Sequence, residues 1–181
     1  MRIVVRIACC HFYLSVLLLT ACGSTKIGYD YDRTADFRGY RTYDWRANQQ
    51  ASGDARLDNS LLDGRIRAAV AAELESKGFS TALTGTPDFY VAYHAGLKDL
   101  MKGSSTQNYI GDMAHGTYTT INDIQSYKEG TLLIDMIDAS SNRLVWQGSA
   151  LAEVTPGMDP DKRDKRINHI IHEMLEHFPP K

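Results

Sequence analysis

The sequence predicts an α+β fold, a two-layer domain in which a mostly antiparallel sheet of about four to six strands carries two amphipathic helices packed on one face. Three observations predict this fold. Short segments with the alternation of a strand occur at the start and in the middle of the chain. Two longer segments repeat apolar residues at the spacing of a helical face. The chain has 181 residues, 43% of them apolar, which suits one domain with a folded core.

The N-terminal segment, residues 1–21, has the pattern of a cleaved signal peptide. Arg2 and Arg6 form a short positive region, and the mostly apolar stretch 7–19 follows it. A helix needs roughly 20 apolar residues to span a membrane, so this stretch is too short for a span and suits a signal peptide. The segment runs into LTAC at residues 19–22, which resembles the lipobox of bacterial lipoproteins.

The lipobox resemblance implies that the chain is cut before Cys22 and that this residue carries the lipid, including an acyl chain such as palmitate. Several acyl chains on one residue anchor a soluble domain firmly, whereas one chain binds only reversibly. Residues 22–26 then form a lipidated tether whose partner is membrane lipid. Gly23 stands where an aspartate would retain a lipoprotein in the inner membrane. We therefore expect the outer membrane, with the domain facing the periplasm.

Cleavage also changes the charge and the cysteine content. The whole sequence has 20 Lys and Arg against 22 Asp and Glu, a net charge of −2, and the loss of Arg2 and Arg6 makes it −4. This balance argues against a nucleic-acid partner bound by phosphate neutralisation. Cys9 and Cys10 are removed and Cys22 becomes a thioether, which excludes cysteine nucleophiles and cysteine-ligated metals from the mature domain.

Residues 27–181 are expected to form a single domain that opens with strands. Residues 27–32 alternate large side chains with small or polar ones, and residues 41–45 form a second short strand within an aromatic-rich segment. Residues 47–56 are polar and poor in apolar side chains, which predicts a loop.

A first helix is predicted over residues 58–77. Its apolar residues recur every four positions from Leu62 onward and form one stripe. Asp58 or Asn59 caps its start, and Gly78 suits the left-handed position that ends a helix.

The middle of the chain is predicted to supply the central strands. Residues 89–95 are apolar on both sides, as expected of a central strand. Residues 97–116, rich in Gly, Ser, Asn and Lys, are expected to form a flexible loop, and residues 117–127 a further strand. Residues 131–138 and 143–152 form the strongest hairpin pattern, with a segment of turn composition between them.

A second helix is predicted near the C terminus, from the N-cap Asp159, with Pro160 in its first turn, to Phe178. Its apolar stripe is very regular, and two prolines follow it. Upstream of this helix, Gly148 marks either a strand bulge or a place where an aromatic ring covers the backbone.

Several blocks of sequence occur in a fixed order through nearly the whole mature chain. They are YDYD at 29–32, ADF at 35–37, Tyr40, TYDW at 42–45, KGF at 77–79, PDF at 87–89, GTL at 130–132, Ile134-Asp135, Asp138, LVWQG at 144–148 and FPP at 178–180. Together they resemble a bacterial lipoprotein family, the domain of unknown function 4136. The resemblance implies a secreted, lipid-anchored α+β domain, and it implies no reaction, because none is established for the family.

The histidines of the C-terminal helix give a weak indication of a metal site. His172-Glu173 begins like the zinc-protease motif, but Glu176 stands where the second histidine belongs and His177 comes one residue late. His169 with His172 or Glu173, or His172 with Glu176, are the weak candidates for a surface metal ion. The sequence favours a solvated helix face instead. No resident cofactor and no catalytic set is predicted.

Two other groups of residues have both a structural and a functional interpretation. The aromatic side chains from Tyr29 to Trp45 either stack on sugar rings of cell-wall or surface polysaccharides or pack in strands, and packing is favoured. Asp135 and Asp138 lie on opposite faces of one strand, so they make a poor acid–base pair. Asp138 is expected to open the turn, and Asp135 to pair with a neighbouring donor.

The sequence therefore favours a lipid-anchored, periplasm-facing envelope lipoprotein that acts as a non-enzymatic binding module for an envelope protein or a cell-wall component. The uncovered sheet face or an edge strand is the expected contact surface. Two alternatives stay open. One is an envelope hydrolase or metal-dependent enzyme that uses His94, His115 or the C-terminal histidines. The other is a carrier of a small hydrophobic ligand between sheet and helices.

Overall fold

The computed structural model describes residues 25–47, 52–110 and 117–180. The predicted signal peptide and Cys22 lie outside these residues. Within them the chain forms two helices, a 3₁₀ turn and six strands, which confirms the α+β class. In chain order the elements are β1 (Lys26–Tyr31), the 3₁₀ turn (Phe37–Gly39), β2 (Thr42–Trp45), α1 (Ser60–Ser76), β3 (Ser80–Thr81), β4 (Phe89–Ile110), β5 (Thr117–Asp138), β6 (Leu144–Val154) and α2 (Pro160–Leu175).

The six strands form one mixed sheet in the order β1-β6-β5-β4-β2-β3. The pairs β1–β6, β6–β5 and β5–β4 are antiparallel, as predicted, whereas β2 is parallel to both β4 and β3. The connection between β2 and β3 explains why these two strands are parallel. Parallel strands need a crossover between them, and α1 provides that crossover between β2 and β3. The sequence patterns predicted neither the parallel pairs nor the two-residue strand β3.

α1 begins and ends close to its predicted bounds. The Asn59 side chain caps it by accepting a hydrogen bond from the backbone N–H of Leu62 at 3.0 Å. At the other end Gly78 has a φ of +88°, and the N–H of Phe79 donates to the Leu74 carbonyl at 3.0 Å, which closes the helix. Its buried stripe faces the core.

α2 begins at the predicted cap, where the Asp159 carboxylate accepts hydrogen bonds from the backbone N–H groups of Asp161 and Lys162. The predicted end at Phe178 is wrong, because the helix stops at Leu175. The proline after Phe178 disfavours helical backbone at that residue, and a turn forms instead. Phe178 itself is still buried.

Aromatic rings dominate the core between the helices and the sheet. The ring centroid of Phe178 lies between 5.3 and 6.1 Å from those of Phe37, Phe79, Phe89 and Trp146. The central strands contribute alternate residues to this core, among them Phe89, Val91 and Tyr93 of β4 and Ile134 and Met136 of β5.

The Trp146 ring covers the backbone of Gly148, which is the second of the two roles predicted for that glycine. A Cβ atom at position 148 would stand 2.6 Å from Cη2 of Trp146, so a larger residue does not fit without a shift. The irregularity of the β5–β6 ladder lies elsewhere, between Met136 and Ile137.

β4 and β5 extend far beyond the rest of the sheet. These two 22-residue strands pair along their full length. On their outer sides, β2 pairs with β4 only as far as Val91, and β6 pairs with β5 only from Lys128 onward. We call the two-stranded remainder, residues 100–110 and 117–127, the hairpin arm.

The arm corrects one prediction and extends another. The loop expected over residues 97–116 is wrong as far as residue 110, and residues 111–116 lie outside the described residues. The strand expected over residues 117–127 is confirmed as the first half of β5. Most side chains of the arm are polar and exposed, so the segment 97–110 lacks the apolar alternation by which a strand is identified.

Candidate functional site

Along the part of β4, β5 and β6 that borders the core, every second side chain points into the core. The side chains that alternate with them point to the opposite side of the sheet, which we call the open face. At its centre Asp135 is 9% exposed. Gln147 Nε2 donates a hydrogen bond to its Oδ1 at 2.7 Å, and His94 Nε2 lies 3.4 Å from its Oδ2. We call His94, Asp135 and Gln147 the Asp135 cluster.

Strand register brings the cluster together. Asp135 lies opposite Gln147 on β6 and opposite Ala92 on β4, and His94 is the next residue of β4 on the same face. Diagonal neighbours of this kind are within reach of long side chains. The prediction that Asp135 pairs with a neighbouring donor is confirmed.

The cluster combines a paired carboxylate with an accessible imidazole. Both carboxylate oxygens of Asp135 have partners, while the His94 side chain is 44% exposed to solvent. Ser149 lies on the same face, but its hydroxyl donates to the Gly28 carbonyl at 3.3 Å, and Leu133 stands between it and His94 in the ladder. The described residues therefore align no serine nucleophile with this His–Asp pair.

Asp138 closes the β5–β6 turn on the core side of the sheet. Its carboxylate accepts hydrogen bonds from Ser140 and Ser141 at 2.7 Å and from the Tyr40 hydroxyl at 2.8 Å. Burial raises the pKa of Asp138, but these hydrogen bonds outweigh it and hold the pKa well below its ordinary value. Burial, with the Asp138 carboxylate beside it, raises the pKa of Tyr40. The expected role of Asp138 at the turn is confirmed.

Of the four weak metal candidates in and just after α2, the structure brings His169 and Glu173 together and pairs His172 with a different helix. His169 Nε2 lies 3.3 Å from Glu173 Oε1 one turn away, whereas His172 Nδ1 lies 2.9 Å from Glu73 Oε1 on α1. Glu176 lines a cleft near β1 instead of pairing with His172. Within residues 25–47, 52–110 and 117–180, no group of three or more His, Cys, Asp or Glu side chains is arranged to hold a metal ion.

That cleft, about 530 Å³ in volume, lies between β1 and the C-terminal end of α2. It is lined by Thr25, Ile27, Gly28, Tyr29, Glu173, Glu176 and His177. The rings of Tyr29 and His177 are 4.6 Å apart, and Tyr29 is 47% exposed. The cleft is open and partly acidic, so it does not resemble a pocket for a hydrophobic ligand.

Most of the aromatic opening segment packs in the core, as the sequence favours. Tyr40 and Tyr43 are buried, and the guanidinium carbon of Arg67 lies 4.4 Å from the centre of the Trp45 ring. Tyr29 remains accessible for stacking on a sugar, but one half-exposed tyrosine is not a sugar-binding platform.

Two features of the surface escaped the sequence patterns. Gln147 was missed as a partner of Asp135, because the two residues are distant in sequence and only the strand register joins them. Residues 100–110 of the hairpin arm were missed as a strand, and the exposure of its apolar side chains, Met101, Tyr118 and Ile124 among them, was not predicted. The apolar residues that recur in 117–127 are the one sequence signal that predicted a strand in the arm.

Among the described residues, the helices are too short or too polar to span a membrane. None of the curated proteins is similar enough in sequence to match the chain. The fold is similar to that in the crystal structure of a PDZ domain protein from Parabacteroides distasonis, with 13% identity and a TM-score of 0.53 over 88% of this chain. The chain corresponds to 37% of the length of that protein.

Weaker likenesses include the PelC dodecamer from Paraburkholderia phytofirmans, with 10% identity, a TM-score of 0.45 and coverage of 84% of this chain and 95% of that one. The putative neuraminyllactose-binding hemagglutinin homolog from Helicobacter pylori shows 12% identity, a TM-score of 0.39 and coverage of 76% and 82%. Such likenesses at low identity concern the fold alone. Sequence gives the firmer assignment: residues 27–180 match the model of the Domain of unknown function (DUF4136), and the chain belongs to this family.

Proposed function

We propose that the protein is a lipid-anchored, periplasm-facing module of the bacterial envelope that binds another envelope protein through the open face of its sheet. The observation that carries the proposal is the Asp135 cluster. A shielded carboxylate fixes an accessible imidazole and an amide on the sheet face opposite the helical core. Fixed polar groups on a rigid sheet give a partner a defined hydrogen-bonding pattern at little entropic cost.

The anchor in this proposal rests on the sequence around Cys22, and Gly23 favours the outer membrane. Replacing Cys22 with Ser should abolish incorporation of labelled palmitate and leave the precursor uncleaved. A Cys9→Ser, Cys10→Ser double variant is the matched control and should label normally. Undiminished labelling of the Cys22→Ser variant would contradict the assignment.

The binding face is tested by photo-crosslinking in the envelope. A benzophenone side chain at position 90, on the open face next to the Asp135 cluster, should give a discrete crosslinked product. The same group at position 162, on exposed α2, is the control and should not. A His94→Ala change should reduce the product severalfold. If the crosslinked product from position 90 is no stronger than the background from position 162, the open face is not the binding face.

The two alternatives receive less support. An enzyme that uses several histidines needs them in one cleft, but His94 lies on the open face while His169, His172 and His177 belong to α2 or its end. His115 lies outside the described residues. A carrier needs space between the helices and the sheet, where fully buried side chains such as Trp146, Phe89 and Phe178 are packed together.

A further inference from the structure

The chain enters the sheet at the end from which the hairpin arm leaves. Lys26, the first residue of β1, pairs with Leu151 of β6, and Leu151 pairs with Thr131 of β5. Thr131 in turn pairs with Gly96 of β4. These four residues form one row across the sheet. The hairpin arm begins a few residues beyond this row, so the tether and the arm are at the same end of the molecule.

The length of the tether limits how far the proposed lipid lies from that end. Cys22 is joined to Thr25, the first described residue, by Gly23 and Ser24. Three residue steps span at most about 11 Å. Along the arm, at a rise of about 3.4 Å per residue, Met101 lies roughly 17 Å beyond the Gly96 row and Tyr109 roughly 44 Å. The arm therefore extends well beyond the farthest point that Cys22 can reach.

One face of the arm is suited to a lipid surface. The register places Met101, Ile124, Tyr109 and Tyr118 on the same face, since Gly103 pairs with Ile124 and Tyr109 with Tyr118. Met101 is 81% exposed, Tyr118 72% and Ile124 69%, and the two tyrosine rings are 5.2 Å apart near the far end. Tyrosine with aliphatic neighbours is typical of side chains at a membrane interface.

The charge of the arm also suits contact with a lipid surface. Residues 100–110 and 117–127 carry one lysine, Lys102, and one aspartate, Asp123, and are therefore neutral overall. The whole chain is 23% charged. Few charges lower the desolvation cost of approaching hydrocarbon, and zero net charge avoids repulsion from an anionic leaflet.

We propose that the hairpin arm docks on the lipid surface in which Cys22 is anchored, with Met101, Ile124 and Tyr118 at the level of the headgroups. This inference rests on the proposed lipid anchor. Along the outer edges of both arm strands, the backbone groups pair with no strand among the described residues, and unpaired backbone groups are not tolerated in hydrocarbon. A single arm therefore lies along the interface, with its length parallel to the lipid surface, and does not cross it.

Quenching by brominated lipid tests the contact directly. The lipidated protein is reconstituted into phosphatidylcholine vesicles with acyl chains brominated near the headgroup, as Tyr118→Trp and, separately, as Leu144→Trp. Leu144 is 49% exposed and pairs with Ile137 toward the opposite end of the sheet, which makes it the matched control. The parent protein gives the background from Trp45 and Trp146.

We expect at least about twofold stronger quenching of the Tyr118→Trp indole than of the Leu144→Trp indole, as for an interfacial aromatic residue. A second reporter, Met101→Trp, should behave like Tyr118→Trp. Equal quenching of all three indoles in protein that floats with the vesicles would overturn the docking while leaving the anchor intact. Protein that fails to float would overturn both. Quenching that disappears on dilution to one protein per vesicle would show a second copy on the arm, and this too would overturn the proposal.

Discussion

Several residues of the family blocks act as structural contacts. One oxygen of Asp88, Oδ2, accepts hydrogen bonds from the backbone N–H groups of Arg41 and Thr42 and from the Thr42 hydroxyl, at 2.8–2.9 Å. It thereby ties the start of β2 to the start of β4. Asp138 holds Tyr40 against the β5–β6 turn in a similar way. These polar residues fix the ends of strands, so their presence in the sequence does not by itself indicate reaction chemistry.

Replacing Gly148 with Ala is expected to destabilise the fold by about 1–3 kcal/mol, because the added methyl group overpacks a closed core. The new Cβ would stand 2.6 Å from the ring of Trp146, which is fully buried in the core. Urea unfolding measures the loss. Gly64→Ala in α1 is the control, since its Cβ would meet nothing within 4 Å and should stabilise the helix by about 0.5–1 kcal/mol. An unchanged midpoint for Gly148→Ala would show that the ring is free to move.

Acid is expected to weaken the fold through Asp88 and Asp138. Hydrogen bonds from the backbone N–H groups of Thr42 and Arg41 lower the pKa of Asp88, and hydrogen bonds also lower that of Asp138 against the effect of burial. A carboxyl whose pKa is lower in the folded state stabilises the fold fully above its ordinary value of 3.8 and loses that contribution as the pH falls toward the folded pKa.

The measurement is the free energy of unfolding in urea at about pH 6 and about pH 3, where the second value should be lower. An Asp138→Asn variant removes one of the titrating groups and should show a smaller difference between the two pH values. The same difference in parent and variant would mean that Asp138 does not contribute.

Most of the elements were predicted from the sequence, whereas β3 and the outer part of β4, which have no apolar period, were not. α1, α2 as far as Leu175 and the β5–β6 hairpin are confirmed because each buries apolar residues at a regular spacing and has a cap or a turn of suitable composition. The outer part of β4 was missed because its side chains are mostly polar and exposed and show no apolar alternation. β3 was missed because two residues show no period, and its pairing with β2 depends on the α1 crossover.

Excision of the hairpin arm is expected to leave the rest of the fold intact. Replacing residues 100–127 with an Asn-Gly turn that joins Asp99 to Lys128 keeps every fully buried core side chain. The free energy of unfolding should therefore change by less than about 1 kcal/mol in urea. Phe89→Ala, which removes a buried ring, is the contrasting control and should cost about 3–5 kcal/mol. Loss of cooperative unfolding after the excision would contradict this view of the arm.

The whole molecule has two distinct ends and two distinct sheet faces, and both distinctions depend on strand register. The sequence patterns indicated the proposed binding face in general terms, as a sheet face without helices, and assigned Asp135 a partner. They could not identify Gln147 and His94 as its partners, because that needs the pairing of three strands. The position of the arm beside the start of β1 is likewise a property of the complete strand order and follows from no local motif.

The proposed lipid tether is short and lies at the same end as the arm, which leads to a prediction for the whole molecule. A flexible Gly/Ser linker of about 20 residues between Ser24 and Thr25 has a root-mean-square length of roughly 25 Å, which lets the domain stand away from the lipid. Because the tether sets the effective concentration of the arm at the surface, the linker should weaken quenching of the Tyr118→Trp indole by brominated lipid. The same linker added after Pro180 should have no effect, and palmitate labelling should be equal in both proteins. Undiminished quenching with the long tether would mean that the arm holds the surface by itself, without help from the anchor at Cys22.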